Sequence, residues 1–223
     1  RSSAPMTALP FLCSWSGGKD SCHALRAALA AGHRPVALLN MLDETGERSR
    51  SHGLPPALLR AQADALGLPL LTGRASWQGY EAEFVARLGE ARDHYGARAA
   101  VFGDIDLQAH RDWEEQVCQR TGLSALLPLW QHPRRALVEE MIASGLRAVI
   151  VSCNAQLGPD FLGRVLDAAT LDALEAAGVD ACGENGEYHT AVLDTPAFAR
   201  PLAVRQGRPQ CHGDYWFLPL APA

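Results

Sequence analysis

The chain has no Cys-x-x-Cys pair. Its six cysteines, at 13, 22, 118, 153, 182 and 211, are scattered without ligand spacing. That excludes a zinc ribbon and favours thiols kept reduced, as in the cytoplasm, over a disulfide framework. No apolar run approaches the roughly 20 residues of a membrane-spanning helix. No signal-peptide pattern precedes the first strand-like segment, so neither a membrane nor a secreted setting is expected. Charge is sparse as well: 20% of residues are charged and the formal net charge is −5, so a broad nucleic-acid-binding surface is not expected. Internal repeats and low-complexity linkers are missing too. With 48% of its 223 residues hydrophobic, the chain has the material for one large or two small globular domains. Arg1 to Pro5 precede Met6 and are set aside as an appended remnant.

Two common phosphate signatures are missing: there is no Gly-x-x-x-x-Gly-Lys-Ser/Thr and no Gly-x-Gly-x-x-Gly. In their place stands Ser16-Gly17-Gly18-Lys19-Asp20-Ser21, between the apolar Phe11–Trp15, which includes Ser14, and the Ala/Leu-rich run from Cys22 to Ala31. This order predicts a strand that ends in a tight turn and opens a helix. Gly17 and Gly18 can take positive φ and let backbone N–H groups approach a ligand. The first helical turn offers free N–H groups and the positive end of the macrodipole to an anion. Lys19 adds a charge, and Ser16 and Ser21 add hydroxyl donors. Asp20 fits an anion site only if a cation accompanies the phosphate, which makes it a natural Mg²⁺ partner.

Further along, Pro35–Met41 reads as a buried strand with Asn40 and Met41 at its C-terminal end, where an open α/β sheet carries its ligand. The polar run Asp43 to His52 follows, with Ser51 and His52 as further contact candidates. Ala99–Phe102 is another strand, leading into Gly103 and Asp104. Asp104 either caps the next helix or faces the phosphate loop and joins Asp20 in holding Mg²⁺. The β-α-β-α alternation predicts an α/β fold with a Rossmann-like parallel sheet over residues 6–126. Beyond Leu126 the texture changes, and residues 127–223 read as a smaller α/β unit that closes over the nucleotide site. The tail Tyr215–Leu218 suits either core packing or a homodimer contact. The densest polar stretch of this half is Gly183-Glu184-Asn185-Gly186-Glu187-Tyr188-His189-Thr190, expected as a loop that brings acid and base groups to a ligand.

The hexapeptide Ser16–Ser21 resembles the PP-loop of the N-type ATP pyrophosphatases, which bind ATP and split it to AMP and pyrophosphate. Ser16–Ser21, Phe102-Gly103-Asp104, Leu127-Pro128-Leu129-Trp130 and Gly183–Thr190, in this order, resemble the diphthine–ammonia ligase family from about Leu9 to Phe198. That family's Glu-Gly-Gly-Glu-Phe/Tyr-Glu-Thr motif aligns with Glu184 to Thr190. Asn185 stands where the motif has Gly, and His189 where it has an acidic residue. The resemblance implies a PP-loop nucleotide domain followed by a substrate domain, with ATP and Mg²⁺ as cofactors. The reaction it implies is adenylation of a carboxylate, on an acceptor that in the family is a protein side chain, followed by attack of ammonia. Gly17, Gly18, Lys19 and Ser21 would hold the pyrophosphate, with Ser14, Ser16, Asn40, Met41 and Gly103 around the nucleotide. Asp20 and Asp104 would hold Mg²⁺, and Glu184, Glu187 and His189 would position the acceptor or handle protons. Two rival readings stand beside this one: an RNA-modifying PP-loop enzyme, and an adenine-nucleotide sensor without turnover.

Overall fold

The computed structural model describes residues 7–223, so the remnant assigned to Arg1–Pro5 lies outside the described residues. Short apolar runs alternate with amphipathic helices through the first half. They form β1 (Pro10–Ser14), α1 (Lys19–Ala30), β2 (Arg34–Leu42), α2 (Pro56–Leu66), β3 (Leu70–Arg74), α3 (Tyr80–Tyr95), β4 (Ala99–Val101), α4 (Gln108–Thr121) and β5 (Ser124–Leu126). The five strands pair in parallel in the order β3-β2-β1-β4-β5. β1 is central, and Phe11, Leu12 and Cys13 are buried. Helices cover both faces of the sheet, which is why its strands read as continuous apolar runs rather than alternating ones. Gly96 and Gly122 end α3 and α4 in the left-handed conformation that favours glycine.

The second half contributes α5 (Arg134–Ala143), β6 (Arg147–Asn154), α6 (Ala168–Ala176), β7 (Tyr188–Asp194), β8 (Val204–Gln206), β9 (Gln210–His212), β10 (Tyr215–Phe217) and β11 (Leu220–Pro222). Its larger sheet, β7-β6-β10-β9, is antiparallel, and β8 pairs with β11. The expected tail contact is β10, paired between β6 and β9, with Leu218 buried just beyond it. Sheet pairing and the burial of Leu218 tie this part of the tail to the fold, while Tyr215, Trp216 and Phe217 stay half-exposed.

The two sheets share one apolar core. It joins Phe11, Leu38, Leu58 and Val101 to Ile150, Leu171 and Val192, while Phe84, Leu88 and Val117 fill the opposite face of the parallel sheet. Backbone bonds join them as well: Val192 N–H donates to the Gly17 carbonyl at 2.8 Å. The buried Gln62 amide bridges the Gly17 and Val192 carbonyls, at 3.0 Å each. The glycine loop is thus pinned between the sheets before any ligand arrives. No helix among the described residues is long and apolar enough to cross a membrane.

Candidate active site

The turn after β1 is built by close approach. Gly17 has φ +85°, and a Cβ there would meet Leu54 Cδ1 at 2.6 Å and Gln62 Oε1 at 2.7 Å. Gly18 precedes the first residue of α1 and has no side-chain cap of its own. Thr190 supplies the cap from β7 instead, its Oγ1 accepting from Lys19 N–H at 3.0 Å. Ser16 and Ser21 close the loop through their hydroxyls, 3.1 Å apart. Gly103 at the end of β4 passes so close to α1 that a Cβ would meet the Asp20 carbonyl carbon and Ser21 N at 2.9 Å.

A cavity of 320 Å³ sits at the C-terminal ends of β1, β2 and β4, lined by Ser14, Ser16, Asp20, Ser21, Asn40, Met41, Gly103, Asp104 and Glu184. Eight residues expected around a nucleotide are therefore brought together there, in a volume suited to a small ligand. Gly17 and Gly18 lie behind the wall and shape it. Asn40 is buried, its amide donating to the Trp15 carbonyl at 2.8 Å, so it fixes the loop entry.

Lys19 turns the other way, into an adjoining cavity of 390 Å³ shared with Asp20, His52, Asp104, Glu184, His189 and Thr190. Its ammonium is buried, 3.0 Å from an Asp20 carboxylate oxygen and 5.4 Å from the Tyr188 ring centroid. Burial works against this charge, but Asp20 and the neighbouring acidic groups outweigh it and hold Lys19 protonated. Burial, followed by the Asp20 charge, pushes Glu184 up to about 8. Asp20, Cys182 and Glu184 place ligand atoms within 4.8 Å of one another. Asp104 lines both cavities outside that triad, its carboxylate 2.9 Å from His110 Nδ1.

The N-cap of α4 is Leu107, without a side-chain cap bond, so the capping alternative for Asp104 does not hold and it faces the cavities. The Gly183–Thr190 stretch is a loop only as far as Glu187. Tyr188, His189 and Thr190 belong to β7, because β6 offers them a pairing edge. Glu187 lines neither cavity. It is buried, its Oε2 has no hydrogen-bond partner, and its carbonyl accepts from Asn154 N–H at 2.8 Å. Arg50, Trp77, Tyr80 and Glu114 also line the 320 Å³ cavity and were not singled out from the sequence. Glu114 is buried, and its contact with Asp104 adds to that burial, pushing its carboxyl up to about 11.

His52 and His189 face each other with ring centroids 4.6 Å apart, and His189 Nδ1 is 2.8 Å from Ser152 Oγ. Burial, then the Lys19 charge, pushes His189 down to about 4. Burial, then His189 and Lys19, holds His52 well below the ordinary histidine range. Both imidazoles are neutral near pH 7. On acidification the unfolded chain takes up protons that the folded chain refuses, so stability present above about pH 6.5 is lost as pH falls toward 4. For His189 the loss is on the order of 1–2 kcal/mol at about pH 5. We expect thermal unfolding to shift down between about pH 7 and 5, and His189→Gln to flatten that shift. An unchanged slope in the variant would contradict the burial account.

The two loops that carry Asp104 and Glu184 are tied by one side chain. Arg134, the first residue of α5, donates twice to Asp106 and once to Asp180, all at 2.8 Å. Asp180 in turn accepts from Cys182 N–H at 3.1 Å and Glu184 N–H at 3.3 Å. These pairs are half-exposed and contribute little to global stability. Arg134→Gln should leave the unfolding temperature nearly unchanged and lower turnover by about 10- to 100-fold, through misplacement of the two carboxylates. A loss of stability with turnover intact would mean that the arginine serves the fold alone.

Comparison with known proteins agrees with this arrangement. The diphthamide synthase N-terminal domain matches residues 11–125, and the diphthamide synthase C-terminal domain matches residues 133–221. The diphthine–ammonia ligases of Mus musculus and Homo sapiens are each 32% identical over 92% of this chain and 86% of their own length. That of Danio rerio is 33% identical over 92% of this chain and 90% of its own. Among solved structures, a predicted subunit of tRNA methyltransferase from Methanocaldococcus jannaschii aligns with a TM-score of 0.43 at 14% identity, over 84% of this chain and 97% of that one, too distant to bear on function. With both family domains matched in order and full-length relatives aligned along 92% of it, the chain belongs to the diphthine–ammonia ligase (diphthamide synthase) family.

Proposed function

We propose that this protein is an ATP-dependent amide ligase that joins ammonia to a carboxylate and forms AMP and pyrophosphate. The observation that carries the reading is the cavity at the strand ends, behind whose wall the glycine loop lies and on which Asp20, Asp104 and Glu184 converge. Residues 6–126 serve as the nucleotide domain and residues 127–223 as the acceptor domain. The six free cysteines support a reducing, cytoplasmic setting for it.

The residues present fit Mg²⁺. Asp20, Asp104 and Glu184 offer hard oxygen ligands beside a phosphate site, and a cation there relieves the Asp20 repulsion that adds to burial in raising Glu184. Burial holds the Cys182 thiol protonated, so it is not a ligand for this ion. When bound, Mg²⁺ offsets phosphate charge. Around the glycine loop, the Ser21 hydroxyl from the strand-end cavity and the Lys19 ammonium from the adjoining one would hold the leaving pyrophosphate where the two cavities meet at Asp20.

An oxygen of the acceptor carboxylate bonds to the α-phosphorus as the bond to pyrophosphate breaks. Ammonia then bonds to the activated carbon, the carbon–oxygen bond to AMP breaks, and the nitrogen gives up one proton. That proton leaves to solvent water, while His52 and His189, held neutral beside the cavity, can accept a hydrogen bond from the ammonia and orient it. The test supplies Mg·ATP, ¹⁵N-ammonium and cell extract. The reading expects AMP formation that requires both ammonium and extract, with ¹⁵N appearing in an amide. AMP formed at the same rate without ammonium, and no labelled amide, would count against a ligase.

A further inference from the structure

The cavities that share walls with the nucleotide cavity differ in charge. The one around Lys19 carries the carboxylates of Asp20, Asp104 and Glu184 against a single ammonium, already paired with Asp20. A second, of 500 Å³ among Tyr80, Phe84 and Trp113, carries Asp104 and Glu114 and no lysine or arginine. A third, of 470 Å³, is lined by Arg48, Arg50, Trp77, His189, Tyr215 and Phe217. It holds two guanidinium groups against one carboxylate, Asp43. Asp43 is turned into its own loop, accepting from Thr45 Oγ1, Gly46 N–H and Glu47 N–H.

Arg50 stands in the wall between this third cavity and the nucleotide cavity. Its guanidinium lies over the Trp77 ring at 4.4 Å and donates to the Ala75 carbonyl. Its Nε is buried without a partner. Ser51, which lines all four cavities, is held at φ +68°. That conformation is costly for a serine and is retained where surroundings over-determine it. On the far side, Tyr215 is anchored by its hydroxyl to the Gly186 carbonyl at 2.9 Å, and its ring lies 6.3 Å from both His189 and Phe217.

We propose that this third cavity is the acceptor site, and that it takes an organic carboxylate with a flat or apolar body. The inference rests on the ligase reading, which needs a carboxylate delivered to the nucleotide's α-phosphorus. A carboxylate in either of the other two cavities would face the Asp104 charge, joined by Asp20 in the cavity around Lys19, and in the second cavity no cation would offset it. At the shared wall, Arg50 can pair with it bidentately while Trp77, Tyr215 and Phe217 cover the body. Ammonia, which becomes cationic on protonation, goes to the acidic cavity around Glu184. The two substrates are thereby sorted by charge to opposite sides of Ser51.

The test titrates 3-phenylpropionate and 3-phenylpropionamide into the whole protein saturated with Mg²⁺ and α,β-methylene-ATP, read by ligand NMR. Saturable binding of the acid, at least about tenfold tighter than the amide, is expected. Arg48→Met and Arg50→Met should each remove that preference; Arg48 is exposed, so its variant folds even if that of Arg50 does not. Equal binding of acid and amide, no binding of the acid, or a preference that survives both substitutions would overturn the assignment. AMP formation with extract is followed in the same samples. Its absence in the unmodified protein sinks the ligase reading itself. Its persistence in both variants with unchanged dependence on extract sinks only the acceptor site.

Discussion

Gly18→Ala should cost the protein its nucleotide chemistry while leaving it folded. A Cβ at this position would lie 2.6 Å from His52 Nε2 and 3.0 Å from the Thr190 carbonyl oxygen. Neither can yield easily, because the His52 ring is packed against His189 and the Thr190 carbonyl belongs to β7. Overpacking of this kind costs about 1–3 kcal/mol, within the 5–15 kcal/mol typical of a folded domain. The loop has to move instead, and with it the Lys19 ammonium, the Ser21 hydroxyl and the Thr190 cap on the Lys19 N–H. A displacement of about 1 Å at such a site lowers turnover about 100-fold. Gly17→Ala adds the cost of φ +85° to its own clash with Leu54 and should be the worse of the two. Circular dichroism reads the fold and calorimetric titration with ATP reads the site. Native affinity and turnover in Gly18→Ala would show that phosphate does not use this loop.

Lys19→Met is expected to lower turnover by about 10²–10³, the loss seen when one preorganised donor to a developing charge is removed. Lys19 is the only lysine of the chain, where nineteen of the twenty basic residues are arginine. A guanidinium does not replace it: the buried ammonium acts as a compact point charge between the Tyr188 ring and Asp20, and a planar fork presents its donors in a different geometry. Lys19→Arg should therefore rescue little. Its removal also leaves Asp20 beside Asp104 and Glu184 without a counter-charge, so this variant should need more Mg²⁺ for stability than the native protein. Initial rates and Mg²⁺-dependent unfolding temperatures check the two parts separately. Arginine restoring full turnover would mean that charge alone matters at this position.

The strand–loop–helix at Ser16–Ser21 was legible because its signals are local: apolar run, paired glycines, then an Ala/Leu-rich helix. That the first four strands run parallel follows from the same alternation. β5 escaped notice because three half-exposed residues, Ser124–Leu126, carry no pattern until β4 pairs with them. The antiparallel second sheet escaped for a related reason. β10 reaches β6 across some sixty residues of chain, and no short-range feature encodes that pairing.

Within the site, Asp104 was ambiguous between cap and ligand until the N-cap of α4 fell on Leu107. Thr190, which caps α1 from 171 residues away, was visible only as the end of a polar run. Arg50, Glu114 and Arg134 gave no sequence signal, because single polar residues acquire meaning only from what the fold places beside them. The chain's lone lysine at 19 is a signal that was available.

The central claim is chemistry at the α-phosphorus of ATP, and the nucleotide products test it most directly. Mg·ATP, ammonium and cell extract are incubated with the native protein and with Lys19→Met, and the products are separated. The account predicts AMP and pyrophosphate in equal amounts, dependent on extract and nearly absent with the variant. ADP and phosphate formed by the native protein, and lost in the variant, would contradict it.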